Sequence, residues 1–234
     1  MYAQDPVIIF MHVPKTAGNT VITILEKQYG WDGIQGTYPF EELPESGLSE
    51  SIKCLVGHNQ FGLHRNLEKR FQYFTFFRDP VERVISDYYF TLEFHQLPFE
   101  SYLYLDDGYK GYCPNEKQTR WATGNDTLDI EFAKHNLEKY FPVIGITEMF
   151  AESVFLMKKQ FDWEDISYRR ENVNPSRVST KEVSGDIIDL IKERNALDIE
   201  LYKWAKQRLN KQIRQLDRTS KQQLKYFKKL QINE

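Results

Sequence analysis

VIIFMHVPKTAGNT, residues 7–20, is the stretch on which the reading of this chain turns. Val7 to His12 is apolar but for its last residue, and rich in β-branched and aromatic side chains, a composition suited to a short strand buried on both faces. Pro14, Lys15, Thr16, Ala17, Gly18, Asn19 and Thr20 follow, and an apolar run of helical period extends from Val21 to Tyr29. The order is strand, tight polar turn with a lysine, helix N-terminus. Such a turn directs free backbone N–H groups and the positive end of a helix dipole at one point, beside an ammonium group, where a phosphate-like anion fits. The same residues also fit an ordinary strand–helix connection with a solvated lysine. A GxxxxGK[ST] loop is ruled out, because the lysine leads and there is one glycine.

Further strands are predicted over 52–57, 71–77 and 142–147, and residues 31–50 read as loop with one short helical turn. After 71–77, Asp79 and Pro80 form a helix cap and first helical residue. Val81, Val84, Ile85, Tyr88 and Leu92 then give an apolar stripe. Residues 95–114 read as irregular, 116–123, 129–140 and 148–161 as helices, 162–180 as loop and the remainder as helical. Strands alternating with helices predict an α/β fold with a parallel central sheet flanked by helices on both faces. Ligands of such sheets bind beyond the strand C-termini. That rule gathers Lys15, His58 and Arg78 along one edge, since each follows a predicted strand.

The 234 residues carry 41% hydrophobic residues and a net charge of −3, as in a globular domain with a sizeable core. No run approaches the roughly 18 apolar residues of a membrane span. The first strand starts close to Met1, which predicts a cytoplasmic protein without a signal peptide. Cys54 and Cys113 lack metal-ligand spacing and are expected to be reduced thiols. From residue 181 onward 13 basic residues face 8 acidic ones, which reads as a solvated helical surface rather than a nucleic-acid site. Residues 1–208 are expected to form one domain, with 209–234 a basic helical extension. Ile213, Leu216, Leu224 and Phe227 of that extension suggest a homo-oligomer contact.

HVPKTAGNT resembles the 5′-phosphosulfate loop of sulfotransferases that use 3′-phosphoadenosine 5′-phosphosulfate (PAPS), in the branch of the heparan sulfate 2-O-sulfotransferases and their bacterial relatives. FFRDPVERVISDYYF, residues 76–90, resembles that branch's 3′-phosphate motif. The resemblance implies a P-loop-like sheet and a metal-independent enzyme. Lys15, Thr16, Ala17, Gly18, Asn19 and Thr20 would hold the 5′-phosphosulfate, and Arg78 and Ser86 the 3′-phosphate. In VGHNQFGLH, His58 matches the catalytic base, against the plainer reading of a structural hydrogen bond. ENVNPSR resembles a loop closing over the nucleotide, with Asn174 and Arg177 as contacts. Lys15 and His58 are thus the implied catalytic pair. His64 and Arg120 are candidates for the acceptor side, while His12 reads as a core histidine and His95 and His135 as superficial.

The implied reaction is in-line transfer of a sulfuryl group from PAPS to an acceptor hydroxyl. Glu93, Glu100, Asp106 and Asp107 would repel a highly sulfated chain. The acceptor is therefore expected on a less charged glycan, glycolipid or small metabolite, with Tyr88, Tyr89, Tyr102, Tyr104, Tyr109 and Tyr112 as candidate stacking residues. The alternatives are an ATP-dependent kinase on a similar sheet and a non-catalytic nucleotide-binding or assembly protein.

Overall fold

The apolar run Val7–Met11 forms β1, buried along its whole length at the centre of a five-stranded parallel sheet. The computed structural model describes residues 5–37, 48–105, 113–125, 127–169 and 178–232. In chain order its elements are β1 (Val7–Met11), α1 (Gly18–Tyr29), β2 (Ile34–Thr37), β3 (Cys54–Gly57), β4 (Phe71–Phe77), α2 (Pro80–His95), α3 (Phe99–Leu103), α4 (Lys117–Thr123), α5 (Ile130–Tyr140), β5 (Val143–Ile146), α6 (Phe150–Phe161), α7 (Gly185–Arg194), α8 (Ala196–Gln215) and α9 (Arg218–Ile232). The strand order is β2-β3-β1-β4-β5, all parallel, with Met11 opposite Gly57 on β3 and Thr75 on β4. The ends of β1, β3 and β4 that precede His12, His58 and Arg78 therefore lie side by side.

Burial explains why the central strands read so plainly. Phe10 of β1 stacks on Phe74 of β4 at 4.8 Å, and Phe74, Phe76 and Phe77 are fully buried. Each such side chain contributes about 1.5–3 kcal/mol of hydrophobic stabilisation. Helices flank the sheet, with α1 against β2 and β3, and α6 and α8 against β5. A second apolar cluster of Val84, Ile85, Tyr88, Tyr102, Leu103 and Ile191 joins α2, α3 and α7.

The structure corrects several expectations. The stretch read as loop at 31–50 contains β2, a half-buried edge strand. An edge strand has one neighbour and needs no apolar run, so IQGT carries little signal. A short helix, α3, interrupts the irregular 95–114 stretch. His95 is buried rather than superficial, its Nδ1 accepting from the Leu97 N–H at 3.0 Å. Helix α8 runs continuously through position 208, so the proposed boundary falls inside a helix. Leu224 is buried, and Ile213, Leu216 and Phe227 pack against this chain's own core, which removes the reason for assigning them to an oligomer contact. Both cysteines are free thiols and buried. No helix among the described residues is long and apolar enough to cross a membrane.

Candidate active site

The turn after β1 is built to leave N–H groups open. Lys15 and Ala17 both take left-handed backbone conformations, each at φ 69°. For residues with a Cβ this costs about 1–3 kcal/mol each, a strain that clusters at functional sites. The Thr16 hydroxyl, fully buried, donates to the Val13 carbonyl at 2.7 Å and holds the turn closed. That hydroxyl is committed to the turn itself. Helical bonding begins with the Val21 N–H on the Ala17 carbonyl, at 3.2 Å. The N–H groups of Gly18, Asn19 and Thr20 precede it, at the positive end of α1. Gly18 is fixed by a close approach, since a Cβ there would stand 1.8 Å from His12 Nε2.

His12 is buried, as its strand position predicts, but it is also a wall of the site. Its ring stacks on Phe10 at 5.2 Å, lies against Gly18 and meets the His58 ring at 4.5 Å. Burial, then the charges of His58 and Lys15, push its pKa down to about 3, so it stays neutral. His58 is exposed at the end of β3. Desolvation lowers its pKa, Lys117 and Lys15 lower it further, and Asp87 opposes them. His58 is therefore a neutral imidazole open to solvent, with the charges of Lys117 and Lys15 opposing its protonation and that of Asp87 favouring it.

Arg78 follows β4 directly. Its Nη1 donates to the Lys15 carbonyl at 3.2 Å, joining the two motifs. Its Nη2 pairs with Glu82 at 3.4 Å, and the Glu82 carboxylate also accepts from the Thr180 hydroxyl. Asp79 caps α2 through the N–H groups of Val81 and Glu82, as its sequence position predicts. Lys15 Nζ lies 3.6 Å above the ring of Phe90 on α2. Glu82, Ser86 and Phe90 are four residues apart and share one helix face. Half-buried Ser86 therefore sits between the point that meets Arg78 and the point that meets Lys15.

Beside this face is a charged cluster that the sequence reading missed. Arg83 is fully buried and pairs with Asp87 at 3.2 Å, while Lys117 Nζ approaches the same oxygen at 3.6 Å. Arg83 also donates to the Pro114 carbonyl. Burial alone would raise the Asp87 pKa. Lys117, Arg83 and Lys15 outweigh it and hold the carboxylate ionised. Lys15, His58, Asp87 and Lys117 thus act on one another electrostatically from four separate elements. The available signal was a charge beside the apolar stripe, because Asp87 follows Val84 by three residues.

The other predicted residues are placed less centrally. His64 packs with Phe61, Phe71, Tyr73 and Tyr140, and its Nδ1 lies 3.2 Å from the Tyr73 hydroxyl. That is the N-terminal half of β4, away from the edge that carries Arg78. Arg120 lines a cleft with Tyr104, Asn115, Glu116 and Arg194. Asn174 and Arg177 lie outside the described residues. Of the tyrosines considered for stacking, Tyr88 and Tyr102 are buried and Tyr104 is exposed, while Tyr109 and Tyr112 also lie outside the described residues. The exposed aromatics on α2 are Phe90 and Phe94, 59% and 65% accessible. Among the described residues no cluster of His, Cys, Asp and Glu has the makings of a metal site.

The turn between β1 and α1, bonded to Arg78 at the end of the neighbouring strand β4, belongs to an α/β protein with five parallel strands flanked by helices. The profile of the sulfotransferase family matches residues 1–205, and the chain belongs to that family. It is 29% identical over 87 residues to a protein-tyrosine sulfotransferase of Arabidopsis thaliana, a match covering 37% of this chain and 17% of the relative. A sulfotransferase crystal structure from Alicyclobacillus acidocaldarius aligns over 86% of this chain and 95% of its own, with 12% identity and a TM-score of 0.46.

Proposed function

We propose that the protein transfers a sulfuryl group from PAPS to an acceptor hydroxyl, most suitably on a carbohydrate or glycolipid. The observation that carries this reading is the 3.2 Å bond from the Arg78 guanidinium to the Lys15 carbonyl. It sets a cation suited to the 3′-phosphate beside the turn suited to the 5′-phosphosulfate. The N–H groups of Gly18, Asn19 and Thr20 hold the 5′ end, with Thr16 and Ala17 shaping the turn. Arg78 and Ser86 hold the 3′-phosphate, and Asn174 and Arg177 are assigned to the nucleotide by resemblance.

In the reaction the acceptor oxygen forms a bond to sulfur as the bond from sulfur to the bridging phosphate oxygen breaks. His58 takes the hydroxyl proton, and Lys15 stabilises the charge that develops on 3′,5′-adenosine diphosphate as it leaves. Positioning and electrostatic stabilisation supply most of the rate, and the residues involved require no metal. On the acceptor side, Phe90, which meets Lys15, and Phe94, one turn further along α2, offer exposed apolar surface against which a sugar ring can stack. Glu93 and Glu100 disfavour a polyanion.

Calorimetric titration with 3′,5′-adenosine diphosphate, ADP, and ATP plus magnesium tests the donor. Metal-free binding that needs the 3′-phosphate and weakens in Arg78→Ala is the expected result. Preference for ATP plus magnesium would replace this reading with a kinase, and binding of none of them with a non-catalytic assembly role. Turnover of labelled PAPS with neutral and anionic glycans then tests the acceptor.

A further inference from the structure

Arg78 lies one residue past the end of β4, whose last residue, Phe77, pairs with Ile146 of β5. Beyond the ladder a backbone loses its neighbouring strands, yet the N–H and C=O of Arg78 are both satisfied by one side chain. Gln118, on α4 and fully buried, accepts from the Arg78 N–H through Oε1 at 2.8 Å and donates from Nε2 to the Arg78 carbonyl at 3.0 Å. A primary amide is suited to this, because it presents a donor and an acceptor side by side. A carboxylate lacks the donor, and asparagine is one methylene short.

The clamp is itself anchored. The Gln118 N–H donates to Asp198 Oδ2 at 3.0 Å, and the Thr119 N–H and hydroxyl donate to Asp198 Oδ1 at 2.7 and 2.8 Å. A buried path of hydrogen bonds thus runs from the start of α8, through the first turn of α4, to the Arg78 backbone. From the Arg78 guanidinium it continues to the Lys15 carbonyl.

We propose that Gln118 is a positioning residue for Arg78, and that this clamp sets the preference of the site for a 3′-phosphorylated nucleotide. The inference rests on the reading of Arg78 as the 3′-phosphate ligand. A backbone free to rotate after β4 would swing the guanidinium away from that phosphate while leaving the turn around Lys15 to bind the 5′ end. A residue that only filled the core would not discriminate between the two ends of the nucleotide.

The test compares wild type, Gln118→Ala and Gln118→Glu, each titrated calorimetrically with 3′,5′-adenosine diphosphate and with ADP. Thermal unfolding of each protein is followed in parallel. Gln118→Ala is expected to lose about tenfold in affinity for 3′,5′-adenosine diphosphate, the usual effect of unpairing a buried polar group. Its affinity for ADP should stay within about twofold. Gln118→Glu keeps the size and the 2.8 Å acceptor but loses the donor, so its selectivity should fall between the two. Equal weakening toward both ligands, or unchanged selectivity, overturns the proposal. Gln118→Glu alone decides it should the alanine variant fail to fold. Absence of any 3′-phosphate preference in the wild type, seen before a variant is made, refutes the donor reading instead.

Discussion

Ionisation of Glu116 should make this protein lose stability as pH rises through neutrality. The buried carboxylate accepts from the N–H groups of Leu197 and Asp198 at 3.0 and 2.7 Å, capping α8. Burial, then the neighbouring Asp198 carboxylate, raise its pKa from 4.5 to about 7. Because the folded state holds this proton more tightly than the unfolded chain, the stabilisation is full below pH 4.5 and is lost as pH passes 7. At about 1.36 kcal/mol per pH unit the difference is about 3 kcal/mol, and screening by solvent reduces it to on the order of 2 kcal/mol. For a chain of this length that is roughly 5 °C in Tm. Urea unfolding of wild type and Glu116→Gln at about pH 5 and about pH 8 isolates the group, since the amide does not titrate there. Wild type should lose on the order of 2 kcal/mol more than the variant between the two conditions. Parallel losses in both proteins would refute the reasoning.

Three further outcomes are expected. His58→Ala should lower turnover by about 10³-fold, as loss of a general base does, while calorimetric affinity for 3′,5′-adenosine diphosphate is retained; near-normal turnover would remove His58 as the base. In the pH profile of kcat/KM the acid limb should move to higher pH in Lys117→Met, which removes a cation that lowers the His58 pKa, and to lower pH in Asp87→Asn, which removes the opposing anion; shifts in the same direction would contradict this electrostatic arrangement. Gly18→Ala drives a methyl into His12 and should cost about 1–3 kcal/mol in thermal unfolding, most of it recovered in the double variant with His12→Ala; a loss unchanged in the double variant would show that the clash lies elsewhere.

The parts of the fold legible in the sequence are those in which local pattern and tertiary role coincide. Val7–Met11 is apolar because β1 is covered on both faces, and Asp79-Pro80 announces α2 because a cap is a local event. Lys15, His58 and Arg78 could be brought to one edge from strand order alone. What stayed hidden depends on partners distant in sequence. Arg83 and Asp87, spaced four apart on an amphipathic helix, look like a solvated pair until Tyr102 of α3, Lys117 of α4 and the segment around Pro114 close over them. The role of Gln118 depends on Arg78, 40 residues away, and on Asp198, 80 residues away. His12 reads correctly as buried, but its contact with His58 follows from the register that sets Met11 opposite Gly57.

The exchange of caps between α4 and α8 has a consequence for the order in which the site matures on the ribosome. Glu116, just before α4, caps the start of α8, and Asp198, within α8, caps the start of α4. Neither helix start is complete until residue 198 has left the exit tunnel. The strand–turn–helix unit around Lys15 has all its residues by position 29, and β4 ends at position 77. The residues of this turn, and the strands that flank it, are thus synthesised well before those that fix the Arg78 backbone. The clamp on the Arg78 backbone is completed only after Asp198 has emerged, more than a hundred residues behind Arg78 itself.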